Sequence, residues 1–115
     1  MVSPYVPDTG DVVFLDFAPQ VGREQAKRRP ALVLTDLRYN RASGLAVVCP
    51  LTSKVKPYPF TLPITVGSVE GAVLVDQLKS MDWAGRGAEF HSKAPPAMIA
   101  KVRQYIAVLL QIPVR

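Results

Sequence analysis

The sequence predicts a mainly β protein with one C-terminal helix, built as a small, strongly bent antiparallel sheet or a partly open barrel. Three observations favour this fold. Five or six short runs are rich in β-branched and aromatic residues, turn residues separate them, and only the last run has helical periodicity. With 115 residues the chain is long enough for one domain but not two, so we expect residues 1–115 to form a single domain.

The predicted strands follow one another with short connections. In chain order they are Asp11–Phe17, Arg29–Thr35, Leu45–Leu51, Phe60–Val66 and Ala72–Val75. Pro63 interrupts the fourth run, which predicts an edge or bulged strand because proline cannot donate to a ladder. We expect Asp76–Ser80 to continue the fifth strand and Ala88–His91 to form one more. Trp83–Gly87 is interpreted as a turn, as is Tyr39–Gly44, since Asn40 and Gly44 tolerate positive φ.

Helical spacing appears near the C terminus. Apolar residues recur there with a period of about 3.6, at Met98, Ile99, Val102, Tyr105, Ile106, Leu109 and Leu110. Pro95 and Pro96 suit the first turn of a helix, and Pro113 ends it. We expect this helix to pack on the sheet or at a subunit interface, for which Met81 and Trp83 are further candidates.

Composition and charge narrow the class of protein. The net charge of +5 and the pI of about 9.7 favour an anionic partner: nucleic acid, an acidic peptide or an anionic membrane surface. No apolar run approaches the ~20 residues that span a bilayer, and Met1–Gly10 does not have the pattern of a signal peptide. We therefore expect a cytoplasmic protein. Cys49, the single cysteine, lies in an apolar run and is expected to be a small buried hydrophobe.

Sequence motifs for metal, nucleoside-triphosphate and serine-triad chemistry are absent. There is no HExxH, no CxxC pair, no phosphate-binding glycine-rich loop and no Gly-x-Ser-x-Gly elbow. The single histidine, His91, is expected to be exposed or to cap a turn rather than to act as a metal ligand or base.

The nine residues Gly22–Pro30, between two predicted strands, hold four cations. More generally, charged, amide and hydroxyl residues gather at the predicted strand edges. The full set is Glu24, Arg28, Arg29, Thr52, Ser53, Lys54, Lys56, Asp76, Gln77, Lys79 and Arg86. Arginine forks, lysines and hydroxyls bind phosphates. Nearby aromatic residues can stack on unpaired bases, and these are Phe17, Tyr39, Tyr58 and Trp83. Spacing alone indicates a basic β-rich domain with the ingredients of a nucleic-acid site.

Several short motifs occur in a specific order: Gly10-Asp11-Val12, Glu24-Gln25, Arg29-Pro30, Pro50-Leu51-Thr52-Ser53 and Asp76-Gln77-Leu78-Lys79-Ser80, with Tyr39-Asn40 and Tyr58-Pro59-Phe60 between them. From about Tyr5 to Leu110 this arrangement resembles the MazF/PemK family of toxin endoribonucleases. The resemblance implies an SH3-like, partly open barrel of the CcdB/PemK type that assembles as a homodimer. It also implies cytoplasmic cleavage of single-stranded RNA, usually mRNA, at short sequence motifs, with no metal or other cofactor. A further implication is an acidic, MazE-like antitoxin whose flexible segment covers the RNA groove.

The resemblance also implies roles for individual residues. Arg29 and Thr52 match the family's catalytic pair, and Glu24 matches an acidic residue implicated beside them. Residues expected to contact RNA are Phe17, Gln25, Arg28, Asn40, Ser53, Lys54, Lys56, Gln77, Lys79 and Arg86. Arg28 is a departure, because the best-known member has histidine before its arginine.

The chemistry expected of these residues is attack by the 2′-hydroxyl of the target nucleotide on its own 3′ phosphorus. This gives a 2′,3′-cyclic phosphate and a 5′-hydroxyl, with Arg29 and Thr52 donating to the phosphoryl oxygens. Glu24 is either the proton acceptor or an ion-pair partner of Arg28 or Arg29. Two alternatives stay open: a non-catalytic SH3-like module that binds RNA or protein, and a gyrase-poisoning toxin of the same fold.

Overall fold

The computed structural model of the chain describes residues 5–17, 28–54 and 58–113. Three predicted site residues, Glu24, Gln25 and Lys56, lie outside these ranges. The elements are β1 (Asp11–Asp16), β2 (Arg28–Val33), α1 (Leu37–Ser43), β3 (Leu45–Thr52), β4 (Thr61–Val66), β5 (Val69–Leu74), a 3₁₀ turn (Val75–Gln77), β6 (Lys79–Asp82), β7 (Glu89–Lys93) and α2 (Pro96–Leu110).

Strand β3 is the centre of the sheet. The strands run in the order β4-β5-β3-β2-β1-β7, and every pairing is antiparallel. One edge of β3 pairs with β2, whereas its other edge pairs first with β6 and then, at Leu51 and Thr52, with β5. The predicted mainly β, partly open barrel with a C-terminal helix is therefore confirmed. Strand β4, which contains Pro63, lies at an edge as predicted.

The sheet buries apolar side chains on both faces, because neighbouring residues of a strand point in opposite directions. In β2, Leu32 packs into the cluster beneath α2, where Ile99 and Val102 are buried, and Ala31 and Val33 pack into the opposite cluster. Met81 is buried in that second cluster, so it is not available as an interface residue. Trp83 packs beside it and donates its indole N–H to the Asn40 carbonyl oxygen at 3.0 Å. None of the helices within the described ranges is long and apolar enough to cross a bilayer.

The predicted turn Tyr39–Gly44 is wrong, since α1 occupies Leu37–Ser43. Asp36 caps the helix by accepting from the Tyr39 N–H at 3.0 Å, and Gly44 ends it with a φ of 76°. The positive φ predicted at Gly44 is confirmed, whereas Asn40 is helical and completely buried. The sequence signals of this helix are its two caps, Asp36 and Gly44, and the predicted turn took no account of Asp36.

The predicted extension of the fifth strand through Asp76–Ser80 is also wrong. The chain turns at Val75–Gln77, and Lys79–Asp82 then forms β6 against the other half of β3. This turn places Asp76 and Gln77 beside the C-terminal end of β3, where the candidate site lies.

Candidate active site

Arg29 and Thr52 come together because of the register between β2 and β3. Ala31 pairs with Pro50, and Arg29 lies two residues before this pair in β2 while Thr52 lies two residues after it in β3, so the antiparallel strands bring both to the same end of the pairing. Both residues line one cleft of about 370 Å³, which we call the Arg29–Thr52 cleft. The described residues that line it are Arg29, Pro30, Leu51, Thr52, Ser53, Lys54, Ser68, Val69 and Glu70.

The backbone at Thr52 is held closely from the β5 side. Thr52 pairs with Ala72, and Gly71 directly precedes Ala72 in β5. A Cβ at Gly71 would lie 2.9 Å from the Thr52 carbonyl carbon and 3.2 Å from the Ser53 Cα, and closer still to the Thr52 carbonyl oxygen. Only glycine permits this approach, so β5 fixes the position of Thr52 within the cleft.

The cleft presents hydrogen-bond donors to solvent. The side chain of Arg29 is exposed, and within residues 5–17, 28–54 and 58–113 it has no hydrogen bond or ion pair. Thr52 Oγ1 accepts from the Lys54 N–H at 3.1 Å, which leaves its hydroxyl proton available for donation. Lys54 is exposed and adds a second cation. A guanidinium, a hydroxyl and an ammonium around one cleft suit a phosphate group.

A second cavity adjoins the cleft and shares Thr52 and Lys54 with it. This Tyr58 cavity has a volume of about 250 Å³ and is also lined by Tyr58, Thr61, Leu74 and Gln77. Tyr58 donates its hydroxyl to Asp76 Oδ2 at 2.7 Å, and this hydrogen bond, with the charge of Asp76, raises the pKa of the Tyr58 phenol. The predicted RNA-contact residue Gln77 therefore lies near the candidate catalytic pair, beside an exposed aromatic ring.

Arg28 is engaged on a different set of partners. Its guanidinium donates to the carbonyl oxygens of Phe14 (3.0 Å) and Gly87 (2.6 Å) and forms ion pairs with Asp16 (3.3 Å) and Glu89 (3.1 Å). It thus joins β1, β2 and β7 and does not line the Arg29–Thr52 cleft. The sequence suggested Glu24 as an ion-pair partner of Arg28 or Arg29. It did not suggest Asp16 or Glu89, which pair with Arg28 in the structure.

Two other predicted RNA contacts have structural partners. Asn40 is completely buried, and its amide donates to the carbonyl oxygens of Pro7 (2.8 Å) and Thr35 (3.0 Å) while its Oδ1 accepts from the Thr35 hydroxyl (2.6 Å). The expected RNA contact of Asn40 is wrong for this conformation, because no side-chain atom reaches the surface. Arg86 donates to the carbonyl oxygens of Asp16 (3.1 Å) and Phe17 (2.7 Å), where it fastens the end of β1.

Phe17 and Lys79 meet at a separate place on the surface. Lys79 Nζ lies 5.6 Å from the centre of the Phe17 ring, within the range of a cation–π contact. Phe17 also packs partly against the second core cluster. Neither residue lines the Arg29–Thr52 cleft or the Tyr58 cavity.

Neither His91 nor Cys49 lines the Arg29–Thr52 cleft. His91 is partly buried rather than exposed, and its Nε2 lies 2.9 Å from Ser68 Oγ in the β4–β5 turn, while its Nδ1 lies 2.8 Å from Ser92 Oγ. Cys49 is buried as predicted, and burial together with the charge of Asp76 raises the pKa of its thiol to about 12.

Sequence reasoning missed Ser68 and Glu70, which line the Arg29–Thr52 cleft from the β4–β5 hairpin. No motif marks them, since they reach the cleft only through the pairing of β5 with β3. Glu70 is the one carboxylate among the described lining residues of the cleft.

Comparisons with known proteins agree with this fold and cover almost the whole chain. Residues 8–110 match the family model described as PemK-like, MazF-like toxin of type II toxin–antitoxin system. The chain is similar to the endoribonuclease toxin MazF of Escherichia coli K12, with 40% identity over 110 residues that cover 96% of this chain and 99% of that protein. It is also similar to two crystal structures from Deinococcus radiodurans. The first, of MazF, is 45% identical with a TM-score of 0.86 and covers 95% of this chain and 100% of that one. The second, of MazE-MazF, is 47% identical with a TM-score of 0.88 and covers 96% of this chain and 100% of that one.

Proposed function

The chain belongs to the family of PemK-like, MazF-like toxins of type II toxin–antitoxin systems and is an endoribonuclease, and we propose that it cleaves single-stranded mRNA at short sequence motifs. Cleavage of mRNA would stop translation and arrest growth, and it would take place in the cytoplasm. The observation that carries the proposal is the shared cleft of Arg29 and Thr52. These two residues are 23 positions apart in sequence but line the same cleft. The reaction requires such a pair of hydrogen-bond donors at the scissile phosphate.

Single-stranded RNA suits the surface around the cleft. Arg29 and Lys54 attract the phosphate backbone, as does the net charge of +5. Tyr58, about half exposed at the edge of the adjoining cavity, offers a ring on which an unpaired base can stack. Stacking needs a base that is free of a duplex, so this surface favours single strands.

The proposed reaction uses a nucleophile from the substrate. The 2′-hydroxyl attacks the adjacent phosphorus, the P–O5′ bond breaks, and the leaving 5′ oxygen takes up a proton from solvent, so the products are a 2′,3′-cyclic phosphate and a 5′-hydroxyl. Arg29 and the free hydroxyl proton of Thr52 donate to the non-bridging oxygens, where negative charge develops. Glu24, which lies outside the described residues, is proposed to accept or orient the 2′-hydroxyl proton, because arginine stays protonated. Metal independence remains a prediction.

Arg28 is proposed to position Arg29 rather than to transfer a proton. Its four partners hold the first residue of β2 against β1 and β7, and the next residue, Arg29, then faces the cleft. The departure from histidine at this position therefore alters how β2 is anchored more than the reaction itself. Gln25, Ser53, Lys54, Lys56, Gln77 and Lys79 remain proposed RNA contacts.

The regulatory partner is proposed to be an acidic, MazE-like antitoxin, and the active form a homodimer. A cleft that attracts phosphates also attracts carboxylates, so an acidic segment that folds on binding can occupy it. The similarity of the chain to the MazE-MazF crystal structure from Deinococcus radiodurans supports this partner class. Val108 and Leu110, exposed on α2, are apolar residues available for an interface.

End-group analysis tests the proposal. Purified protein is incubated with single-stranded RNA in EDTA, and the fragments are examined for cyclic phosphate and 5′-hydroxyl ends. We expect both ends, and no cleavage of an RNA with one 2′-deoxy nucleotide at the scissile position. RNA that is bound but left intact would favour the non-catalytic module, and inhibition of gyrase supercoiling with intact RNA would favour the gyrase toxin.

A further inference from the structure

A third cavity adjoins the Arg29–Thr52 cleft, and its described lining residues include none of the cations that line the cleft. This Glu70 cavity has a volume of about 520 Å³ and shares Ser53 and Glu70 with the cleft. Its other walls are Pro63, Ile64, Thr65 and Gly71. None of these described walls is cationic, and the charge they carry is the carboxylate of Glu70. Such a cavity repels phosphate but accommodates an uncharged polar ring.

The walls of the Glu70 cavity belong to a well-fixed hairpin. Thr65 pairs with Glu70 and Ile64 with Gly71, across β4 and β5. The turn between these strands packs on His91: Ser68 Oγ lies 2.9 Å from its Nε2, and a Cβ at Gly67 would lie 2.8 Å from its Cε1. The hairpin is thereby held against β7, and the position of Glu70 is set by strand pairing rather than by a loose loop.

The Glu70 carboxylate is available to a ligand. Its residue is exposed, and within the described part of the chain it has no ion-pair partner within 4.0 Å and no side-chain hydrogen bond. An ionised carboxylate accepts hydrogen bonds and cannot donate them. It therefore selects groups that present N–H donors.

We propose that the Glu70 cavity binds the nucleobase next to the phosphate held by Arg29 and Thr52, and that this base carries an exocyclic amino group. Cytosine, adenine and guanine offer that donor, whereas uracil presents carbonyl oxygens on both sides of its single N–H. Pro63 provides an exposed apolar surface for the ring, and the hydroxyls of Ser53 and Thr65 can bond its remaining polar atoms. The assignment rests on the proposed ribonuclease function and adds a base preference to it.

Cytosine and uracil give the sharpest comparison, because their rings have the same size and differ at the amino group. The first measurement sequences the fragment ends from a randomised RNA pool cut by the wild type, Glu70→Gln and a control, Asp82→Asn. We expect uracil to be disfavoured at one position next to the cut, and Glu70→Gln to relax this about tenfold, since an amide can donate to a uracil carbonyl. Asp82→Asn, which removes an exposed carboxylate outside all three cavities and keeps an oxygen that accepts from the Gly85 N–H, should keep the wild-type preference.

The second measurement is the affinity for short oligo(dC) and oligo(dU), which lack the 2′-hydroxyl and are not cut. The wild type and Asp82→Asn should bind oligo(dC) about fivefold or more tightly than oligo(dU), and Glu70→Gln should lose most of that difference. Equal binding of the two by the wild type overturns the proposal. So does a Glu70→Gln variant with unchanged base preference, or one that loses all cleavage while keeping the preference in binding. If the wild type cuts no RNA but prefers oligo(dC), the ribonuclease function fails and the base site stands.

Discussion

Replacing Gly71 by alanine should damage the candidate active site through its backbone. The new Cβ would lie 2.9 Å from the Thr52 carbonyl carbon, whereas carbon atoms in contact are about 3.5 Å apart or more. The new Cβ would overlap the Thr52 carbonyl oxygen even more than the carbonyl carbon, so β5 and β3 must separate by about 1 Å to make room for it. Overpacking of this kind costs about 1–3 kcal/mol of unfolding free energy, and a shift of about 1 Å at a reacting group costs about 100-fold in rate.

The assay compares initial RNA cleavage rates and urea unfolding midpoints for the wild type, Gly71→Ala and Gly44→Ala. Gly44 has a φ of 76° and open space around its Cα, so alanine there costs about 1 kcal/mol of backbone strain without moving the cleft. We expect both variants to lose stability but only Gly71→Ala to lose about 100-fold in rate. Wild-type activity in Gly71→Ala, or an equal loss of activity in Gly44→Ala, would refute the reasoning.

Three further predictions follow from the same structure. Arg29→Ala should lower the cleavage rate at least about 100-fold with an unchanged urea midpoint, and Arg29→Lys should recover only part of it, because the two-pronged guanidinium contact is lost. An acidic antitoxin segment and uncleavable RNA should exclude each other in a competition titration, with both affinities falling as salt rises; a ternary complex would argue against a shared site. Cys49 should resist a thiol reagent in the native protein at pH 8, since a pKa of about 12 keeps the thiol protonated, whereas the urea-unfolded chain should react fully.

The strands and α2 were predictable because their signals are local. The β-branched and aromatic residues of β1 and the 3.6-residue spacing of α2 show directly in the sequence. The helix α1 was missed although Asp36 and Gly44 are ordinary caps, because its short length and its asparagine resemble turn chemistry. Asn40 is buried for a tertiary reason, since Pro7 and Thr35 supply its partners.

The candidate site was only partly accessible from the sequence. Arg28 and Arg29 look equivalent in the loop composition, yet Arg29 lines the cleft while Arg28 is bound to β1 and β7. Glu70 reaches the cleft through the pairing of β5 with β3, which no local pattern encodes. The resemblance to a family was what singled out Arg29 and Thr52 among many polar residues.

The most direct test of the account is a double-mutant cycle on kcat/KM with Arg29→Ala, Thr52→Val and the double variant. If both residues bind one phosphoryl group in the transition state, each single change costs about 100- to 1,000-fold. The double variant should then lose little more than the worse single variant, because the site acts as a unit. Losses that multiply in the double variant, with all three proteins folded, would mean that the two residues act independently and would contradict the shared-phosphate claim.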